Sequence, residues 1–238
     1  MNTFKRIESI DIIRGLVIVL MALDHTRDYF HINAFAGNYP ENLESTTGIL
    51  FFTRFITHFC APVFVLLAGV SAFLYGENKT KKQLSLFLVT RGFWLIFIEI
   101  ALLNFLWWFD LSFEFINLQV IWAIGVCMII LGALIHLPKK IIFVISLLIL
   151  IGHNSLDNLT VNANQPFAWL WYLLHQPHGG FSLGKTYIAF TYPVLPWIGI
   201  ISLGYVLGNL FSKNKNSDFR HRVLIQTGIA SICLFFYT

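Results

Sequence analysis

Long apolar stretches, separated by short polar segments, follow one another along the whole chain. They predict seven helices, at residues 10–30, 50–75, 85–109, 114–137, 139–156, 188–211 and 223–238. A helix needs about 20 residues to cross the hydrocarbon core of a bilayer, and the last stretch is too short for that. We therefore expect an all-α, polytopic membrane helix bundle, built as one domain over residues 1–238 and truncated at its C-terminus relative to a longer protein.

The composition is that of a membrane protein. Hydrophobic residues make up 57% of the chain and charged residues 12%, with a mean hydropathy of +0.71, whereas a soluble domain carries about 25% charged residues. The lipid bilayer is thus the expected partner. The net charge of +4 requires no nucleic acid, because the basic residues lie between the apolar stretches. Cysteines and histidines show none of the spacings typical of metal sites, so no metal is expected.

Basic residues concentrate in alternate loops. These loops contain Lys5 and Arg6; Lys79, Lys81 and Lys82; Lys139 and Lys140; and Lys213, Lys215, Arg220 and Arg222. Under the positive-inside rule such loops face the cytoplasm. The N-terminus is therefore predicted to be cytoplasmic, and the first helix to end on the outer side of the membrane.

The first helix carries charge where a membrane helix is usually apolar. Its sequence GLVIVLMALDHTRDYFH, from Gly15 to His31, ends in acidic, basic and histidine side chains. A charged side chain costs about 2.5–3.5 kcal/mol at the centre of a membrane helix. At 100° per residue, Arg14 and His25 fall within about 20° of each other. The pattern predicts a central helix, with Arg14 toward the cytoplasm and His25 toward the outside.

The second helix adds two polar side chains on one face. Arg54 and His58 are four residues apart and, by the predicted topology, lie at a depth similar to that of His25. Two interpretations stay open. Arg54 pairs with Asp24 or Asp28 to close the bundle, or the same residues form a site in which a histidine near a carboxylate acts as base or nucleophile.

Further polar residues lie near the predicted helix ends. Gln119 stands at the outer start of the fourth helix, and His153 and Asn154 at the outer end of the fifth. Each of them faces either the same outer cavity or the membrane interface. Glu99 lies deeper, in the third helix, where it would pair with Arg14 or be protonated.

Four segments together resemble a known family. They are RIESIDIIRGLVIVLMALDHTRDYF, FFTRFITHFCAPVFVLLAGVSAFLYG, QVIWAIG and YPVLPWIG. From Arg6 to Phe211 the chain resembles bacterial membrane proteins with a heparan-alpha-glucosaminide N-acetyltransferase catalytic-like domain. The resemblance implies a multi-pass protein of the bacterial cytoplasmic membrane that takes acetyl from cytoplasmic acetyl-CoA. The acceptor would be an amine or hydroxyl of a sugar-like small molecule or glycan on the outer side, and a homo-oligomer is compatible with this function.

The same resemblance suggests roles for individual residues. Members of the wider group begin with a helix that has an Asp-x-x-Arg-Gly start and a polar end, and the segment DIIRG at 11–15 matches that start. The lysosomal enzyme has Asn where this chain has Asp24, with its active histidine some residues later. Here His25 follows at once and His31 lies further on. The resemblance therefore leaves the catalytic histidine open between His25 and His31.

The resemblance also implies a mechanism. The phosphates of acetyl-CoA would stay at the cytoplasmic mouth, beside Arg14, Arg91 and the basic loops. The histidine would take a proton from the acceptor, or take the acetyl group itself, and would be oriented by Asp24 or Asp28. The acceptor would bind to the outer polar residues. These are Arg54, His58, Gln119, His153 and Asn154.

Two functions of other classes would use the same residues. A proton-coupled transporter also needs buried acidic, basic and histidine side chains, but the sequence shows no inverted repeat and no paired broken helices. A non-catalytic scaffold would need the charges only as ties between helices. Proton-dependent uptake without an acyl donor distinguishes the transporter from the enzyme.

Overall fold

The computed structural model describes residues 7–30, 46–212 and 216–237. Its helices are α1 (Glu8–Phe30), α2 (Gly48–Thr57), α3 (Cys60–Gly76), α4 (Lys81–Ile98), α5 (Asn104–Trp108), α6 (Val120–Leu134), α7 (Lys139–Gly152), α8 (Ala168–Leu174), α9 (Val194–Leu207) and α10 (Ser217–Tyr237). Its strands are β1 (Phe115–Leu118), β2 (Gly179–Leu183) and β3 (Thr186–Phe190). Short helical turns of other types cover Glu99–Leu103 (π), His153–Leu156 (3₁₀) and Gly208–Phe211 (3₁₀). The described chain is thus mostly helical, as the hydropathy pattern predicts.

Four helical stretches are long and apolar enough to cross a membrane. They are Gly48–Gly76, Lys81–Trp108, Lys139–Leu156 and Val194–Phe211, and the shorter α6 is also apolar. Together with the composition, they make the chain a multi-pass integral membrane protein. α1 and α10 coincide with two further predicted stretches, and the total of seven spans stays a prediction.

Three of the predicted helices take a different course in the structure. The second is broken between α2 and α3, at residues 58–59. The fourth and the sixth begin as strands, because residues 115–118 pair with residues 187–190 before α6 and α9 start. Pro193, which has a fixed φ and no backbone N–H, directly precedes α9. Hydropathy located the apolar stretches correctly, but it does not separate a short apolar strand from an apolar helix.

The three strands form a small sheet that no sequence pattern predicts. Its order is β1-β3-β2, with β1 parallel and β2 antiparallel to β3. β1 leads directly into α6, and β3 is followed by α9 after three residues. The sheet therefore lies at the end of the bundle where these two helices begin, which we call the sheet end.

The opposite end carries the basic turns. Lys81 Nζ donates to the His136 carbonyl oxygen at 3.0 Å, which places the start of α4 beside the turn after α6. Lys139 Nζ lies 3.4 Å from Asn209 Oδ1 and 4.3 Å from the centre of the Phe73 ring. We call this the basic end. The positive-inside rule assigns its loops to the cytoplasm, and that orientation stays a prediction.

Glycines bring the central helices close together. A Cβ atom on Gly204 of α9 would lie 2.1 Å from the Leu66 carbonyl oxygen of α3. α4 and α6 approach each other in the same way at Gly92 and Gly125. Small residues permit this backbone contact, which is a usual mode of association between membrane helices.

α1 lies at the edge of the described bundle and not at its centre as predicted. It packs against α2 and α3. Ile10 and Val17 are buried, whereas Ile12, Leu16 and Val19 are exposed. One covered face is enough to shelter the charged residues of the helix, so the polar stripe does not require a central position.

Candidate active site

A cavity of about 350 Å³ opens between α1, α2, α3, α6 and α9, in the half of the bundle nearer the sheet. We call it the sheet-side cavity. Its polar wall consists of Asp24, His25, Arg54, Thr57, His58 and Gln119. The sequence predicts all of these except Thr57 as site residues, so the structure brings most of the predicted outer site together.

Asp24 accepts hydrogen bonds from three side chains, which together with it form what we call the Asp24 cluster. Its Oδ1 accepts from Arg27 at 2.8 Å and from the Thr57 hydroxyl at 2.9 Å. Its Oδ2 accepts from Arg54 at 2.9 Å. The side chains of Asp24 and Arg27 are only 17% and 16% exposed, so water screens these charges weakly. The structural pairing of Arg54 with Asp24 is therefore present, and it ties α1 to α2.

His25 lies beside this cluster, one residue further along α1. Its ring packs edge-on against Trp107 of α5, with 5.8 Å between the ring centres. Tyr29 stacks on the same indole at 5.1 Å. These contacts hold the imidazole at the wall of the sheet-side cavity, and imidazole is the side chain best suited to proton transfer near neutral pH.

His58 is a second imidazole in the same cavity. Its Nδ1 lies 3.3 Å from the carbonyl oxygen of Arg54. A carbonyl oxygen only accepts hydrogen bonds, so Nδ1 donates, and Nε2 is the accepting nitrogen of the neutral ring. His58 is thus able to bind a donor group of an acceptor molecule or to receive a proton.

A buried carboxyl group, that of Glu99, lies behind Gln119. Glu99 is 2% exposed, and its Oε1 accepts from the Gln119 backbone N–H at 3.1 Å. The first N–H groups of a helix have no partner within the helix, and the side-chain oxygen of Glu99 supplies one for α6. The predicted pairing of Glu99 with Arg14 is wrong. The Oε1 atom of Glu99 accepts a hydrogen bond from the start of α6, and Oε2 has no hydrogen-bond partner among the residues that the structure describes. Arg14 lies in the other half of the bundle.

The backbone around Glu99 is wound as a π-helix, over Glu99–Leu103. Asn104, directly after it, donates to the carbonyl oxygens of Glu99 and Asn117 at 2.8 and 3.1 Å. Its Oδ1 accepts from the Asn117 backbone N–H at 2.7 Å. This framework joins α5 to β1, and it thereby positions Trp107 against the His25 ring and Gln119 in the wall of the sheet-side cavity.

A second cavity, of about 460 Å³, lies in the other half of the bundle. We call it the basic-side cavity, because Arg14 and Arg91 line it. Arg14 donates to the Ser71 hydroxyl and lies 3.5 Å from Asp11. The Arg91 guanidinium lies over the Phe87 ring at 5.4 Å. Two cations among mostly apolar walls suit a ligand that combines phosphates with an apolar arm.

The two cavities meet end to end. Phe64 of α3 and Ile124 of α6 line both of them. On α1, Met21 lines the sheet-side cavity and Arg14 the basic-side cavity, about 10 Å apart along the helix axis. We call Phe64 and Ile124 the junction, since a group in one cavity is separated from a group in the other by these side chains.

Two predicted site residues do not line the sheet-side cavity, and two others lie outside the described part of the chain. His153 Nδ1 lies 3.1 Å from the Ile149 carbonyl oxygen at the end of α7. Neither His153 nor Asn154 lines the sheet-side cavity, because α7 packs against α9 and contributes nothing to the cavity wall. His31 and the side chain of Asp28 lie outside the described part of the chain.

Sequence reasoning misses Thr57, Trp107 and the two junction residues. Thr57 is three residues from Arg54 and shares its helix face, so its spacing was a usable signal. The others are apolar residues within apolar stretches, where no pattern separates a side chain that faces the site from one that faces lipid. Over the described ranges, no group of three or more His, Cys, Asp or Glu side chains is placed to hold a metal ion.

A comparison with protein families supports the resemblance seen in the sequence. Residues 6–236 match the family model described as heparan-alpha-glucosaminide N-acetyltransferase, catalytic. The match covers nearly the whole chain, including the residues of both cavities and of the junction. No curated protein and no solved structure matches the chain significantly.

Proposed function

The chain belongs to the heparan-alpha-glucosaminide N-acetyltransferase catalytic family, and we propose that it moves acetyl from cytoplasmic acetyl-CoA to an acceptor across the membrane. The acceptor is an amine or hydroxyl of a sugar-like molecule, and the membrane is the bacterial cytoplasmic membrane. The observation that carries this proposal is the pair of cavities that meet at Phe64 and Ile124. A donor too large and charged to cross the bilayer stays in one cavity, while the acceptor enters the other.

The basic-side cavity is the proposed donor site. Arg14 and Arg91 bind the phosphates, since guanidinium groups form paired hydrogen bonds to phosphate oxygens. The apolar wall receives the arm that carries the thioester, and the thioester then points toward the junction. Acetyl-CoA is a co-substrate in this scheme, and no step uses a metal.

His25 is the proposed proton acceptor. The acceptor nitrogen or oxygen attacks the thioester carbonyl carbon, a C–N or C–O bond forms, and the C–S bond breaks. His25 takes the proton of the acceptor and passes it to the CoA thiolate, so CoA leaves as a thiol. In the alternative route, the imidazole takes the acetyl group first and passes it to the acceptor. His58 and Gln119 bind the acceptor, and Asp24 keeps α1 and α2 in place around the histidine.

Two variants of the purified protein separate binding from chemistry. Acetyl-CoA at 100 times its dissociation constant should stabilise the wild type by about 2.7 kcal/mol. Arg14→Ala should lose this stabilisation in thermal denaturation. His25→Ala should keep it and should transfer acetyl to glucosamine, used as the probe acceptor, about 10²–10⁴-fold more slowly.

Two further variants serve as controls. Lys140→Ala removes an exposed cation at the basic end that lines neither cavity, so stabilisation by acetyl-CoA should be unchanged. His31→Ala tests the other histidine that the resemblance suggests. Full transfer by both His25→Ala and His31→Ala would exclude the catalytic role, and folded wild-type protein that acetyl-CoA does not stabilise would exclude the donor site.

A further inference from the structure

One face of α3 runs past both cavities. Ala61 lines the sheet-side cavity, and Ala68 and Ser71 line the basic-side cavity. Phe64 lines both. The spacing of three, four and three positions places these residues in one row along the helix. The side chains in this row are small except for Phe64, so the bulk of the row is greatest at the junction.

The α6 side of the junction is also bulky. Ile124 lines both cavities, with Val120 one turn away in the sheet-side cavity and Met128 one turn away in the basic-side cavity. Ile124 packs against the buried core. A packed, β-branched side chain has few alternative rotamers, so it does not move aside easily.

We propose that Phe64 and Ile124 set the length of the acyl chain that the donor can carry. An acetyl group fits at the junction, and longer acyl groups are excluded by the bulk of the two side chains. The inference rests on the proposed function, in which the thioester carbonyl must reach the junction to meet the acceptor. The atoms beyond the carbonyl carbon then lie beside Phe64 and Ile124, where each additional methylene competes with them for space.

The test compares acetyl-, propionyl- and butyryl-CoA as donors to glucosamine. Wild-type protein should use butyryl-CoA about 100-fold less well than acetyl-CoA, because a methylene that a pocket does not accommodate costs about 10–200-fold. Phe64→Ala and Ile124→Ala should each reduce this difference by about tenfold or more. Phe64→Trp should slow transfer of acetyl while leaving stabilisation by free CoA intact.

Matched variants control for the loss of bulk elsewhere. Phe59→Ala and Ile130→Ala make the same substitutions at side chains that line neither cavity, and they should leave the donor preference unchanged. Ile124→Ala supplies the test if Phe64→Ala does not fold. Thermal stabilisation by each donor needs no acceptor, so it reports the chain-length preference even if glucosamine accepts nothing.

The outcomes distinguish the two proposals. Equal use of, or equal stabilisation by, the three donors in the wild type overturns the inference and leaves the proposed function standing. A preference for acetyl-CoA that persists in both Phe64→Ala and Ile124→Ala also overturns the inference and leaves the proposed function standing. Acetyl-CoA that neither stabilises the wild type nor donates acetyl overturns the proposed function, and the inference falls with it.

Discussion

Three donors from two helices converge on the carboxylate of Asp24. Two of them, Arg27 and Arg54, are cations that would repel each other without the carboxylate between them. Unit charges about 4 Å apart interact by about 4 kcal/mol at an effective dielectric constant of about 20, and the partial burial of this cluster limits screening by water. At the scale of the single residue, Asp24 therefore stabilises the contact of α1 with α2 through its charge as well as through its shape.

Asp24→Asn keeps the shape of this side chain and removes the charge. We expect the free energy of unfolding in detergent to fall by about 2 kcal/mol, because hydrogen bonds to charged groups contribute about 1.5–3 kcal/mol each. Thermal denaturation of the purified protein measures the change. Thr57→Val removes the neutral donor to the same carboxylate and should cost only about 1 kcal/mol. An Asp24→Asn variant as stable as the wild type would show that the charge contributes nothing to the contact.

Charge is also what made single residues predictable from the sequence. A charged or histidine side chain is costly inside an apolar stretch, and this cost points to Asp24, His25 and Arg54 from the sequence alone. Phe64 and Ile124 lie in the same cavities without such a signal. Their role depends on α3 and α6 meeting at one level of the bundle, which is a tertiary relation that the local sequence does not encode.

At the scale of the element, α4 and α5 form one rod that changes its winding at Glu99. A π-turn accommodates one extra residue, so the side chains after it are rotated by about 100° relative to an uninterrupted α-helix. Asn104 holds this turn by its hydrogen bonds to Glu99 and Asn117. The rotation brings Trp107 to the imidazole of His25. The buried pair of Glu99 and Asn104 is thereby connected to a side chain in the wall of the sheet-side cavity.

Asn104→Ala should therefore be costly. The side chain is 3% exposed, and its removal leaves backbone groups of Glu99 and Asn117 without their partners, at about 1–3 kcal/mol for each unsatisfied group. We expect a loss of about 3 kcal/mol in the free energy of unfolding, measured by thermal denaturation. Asn154→Ala, at an exposed position, should stay within about 0.5 kcal/mol of the wild type. Similar stability of the two variants would contradict the structural role of Asn104.

The course of the elements was only partly predictable. The length of an apolar stretch indicates where a segment can be buried. It located most of the helices to within a few residues. It did not reveal β1 and β3, because four or five apolar residues next to an apolar helix look like part of that helix. Nor did it reveal the π-turn, which depends on the pairing of Asn104 with Asn117 of β1, 13 residues further along the chain.

At the scale of the whole molecule, the two ends of the bundle differ in charge. Lys81, Lys82, Lys139 and Lys140 lie at the basic end, whereas Asp110, Glu114 and Asp157 lie toward the sheet end. The positive-inside rule infers the orientation in the membrane from this difference in charge. It predicts that the basic-side cavity opens toward the cytoplasm, which is where the proposed donor is available.

The orientation can be measured with cysteine labelling, because Cys60 and Cys127 are buried and Cys233 is exposed. In a Cys233→Ser background, Ser155→Cys places a thiol beyond the sheet-side end of α7, and Lys140→Cys places one at its basic end. A membrane-impermeant maleimide should label Ser155→Cys on intact cells and Lys140→Cys only after the membrane is permeabilised. The reverse pattern would place Arg14 and Arg91 away from the cytoplasm. Acetyl-CoA could then not reach the basic-side cavity, and the proposed direction of transfer would be wrong even though the family and the two cavities stand.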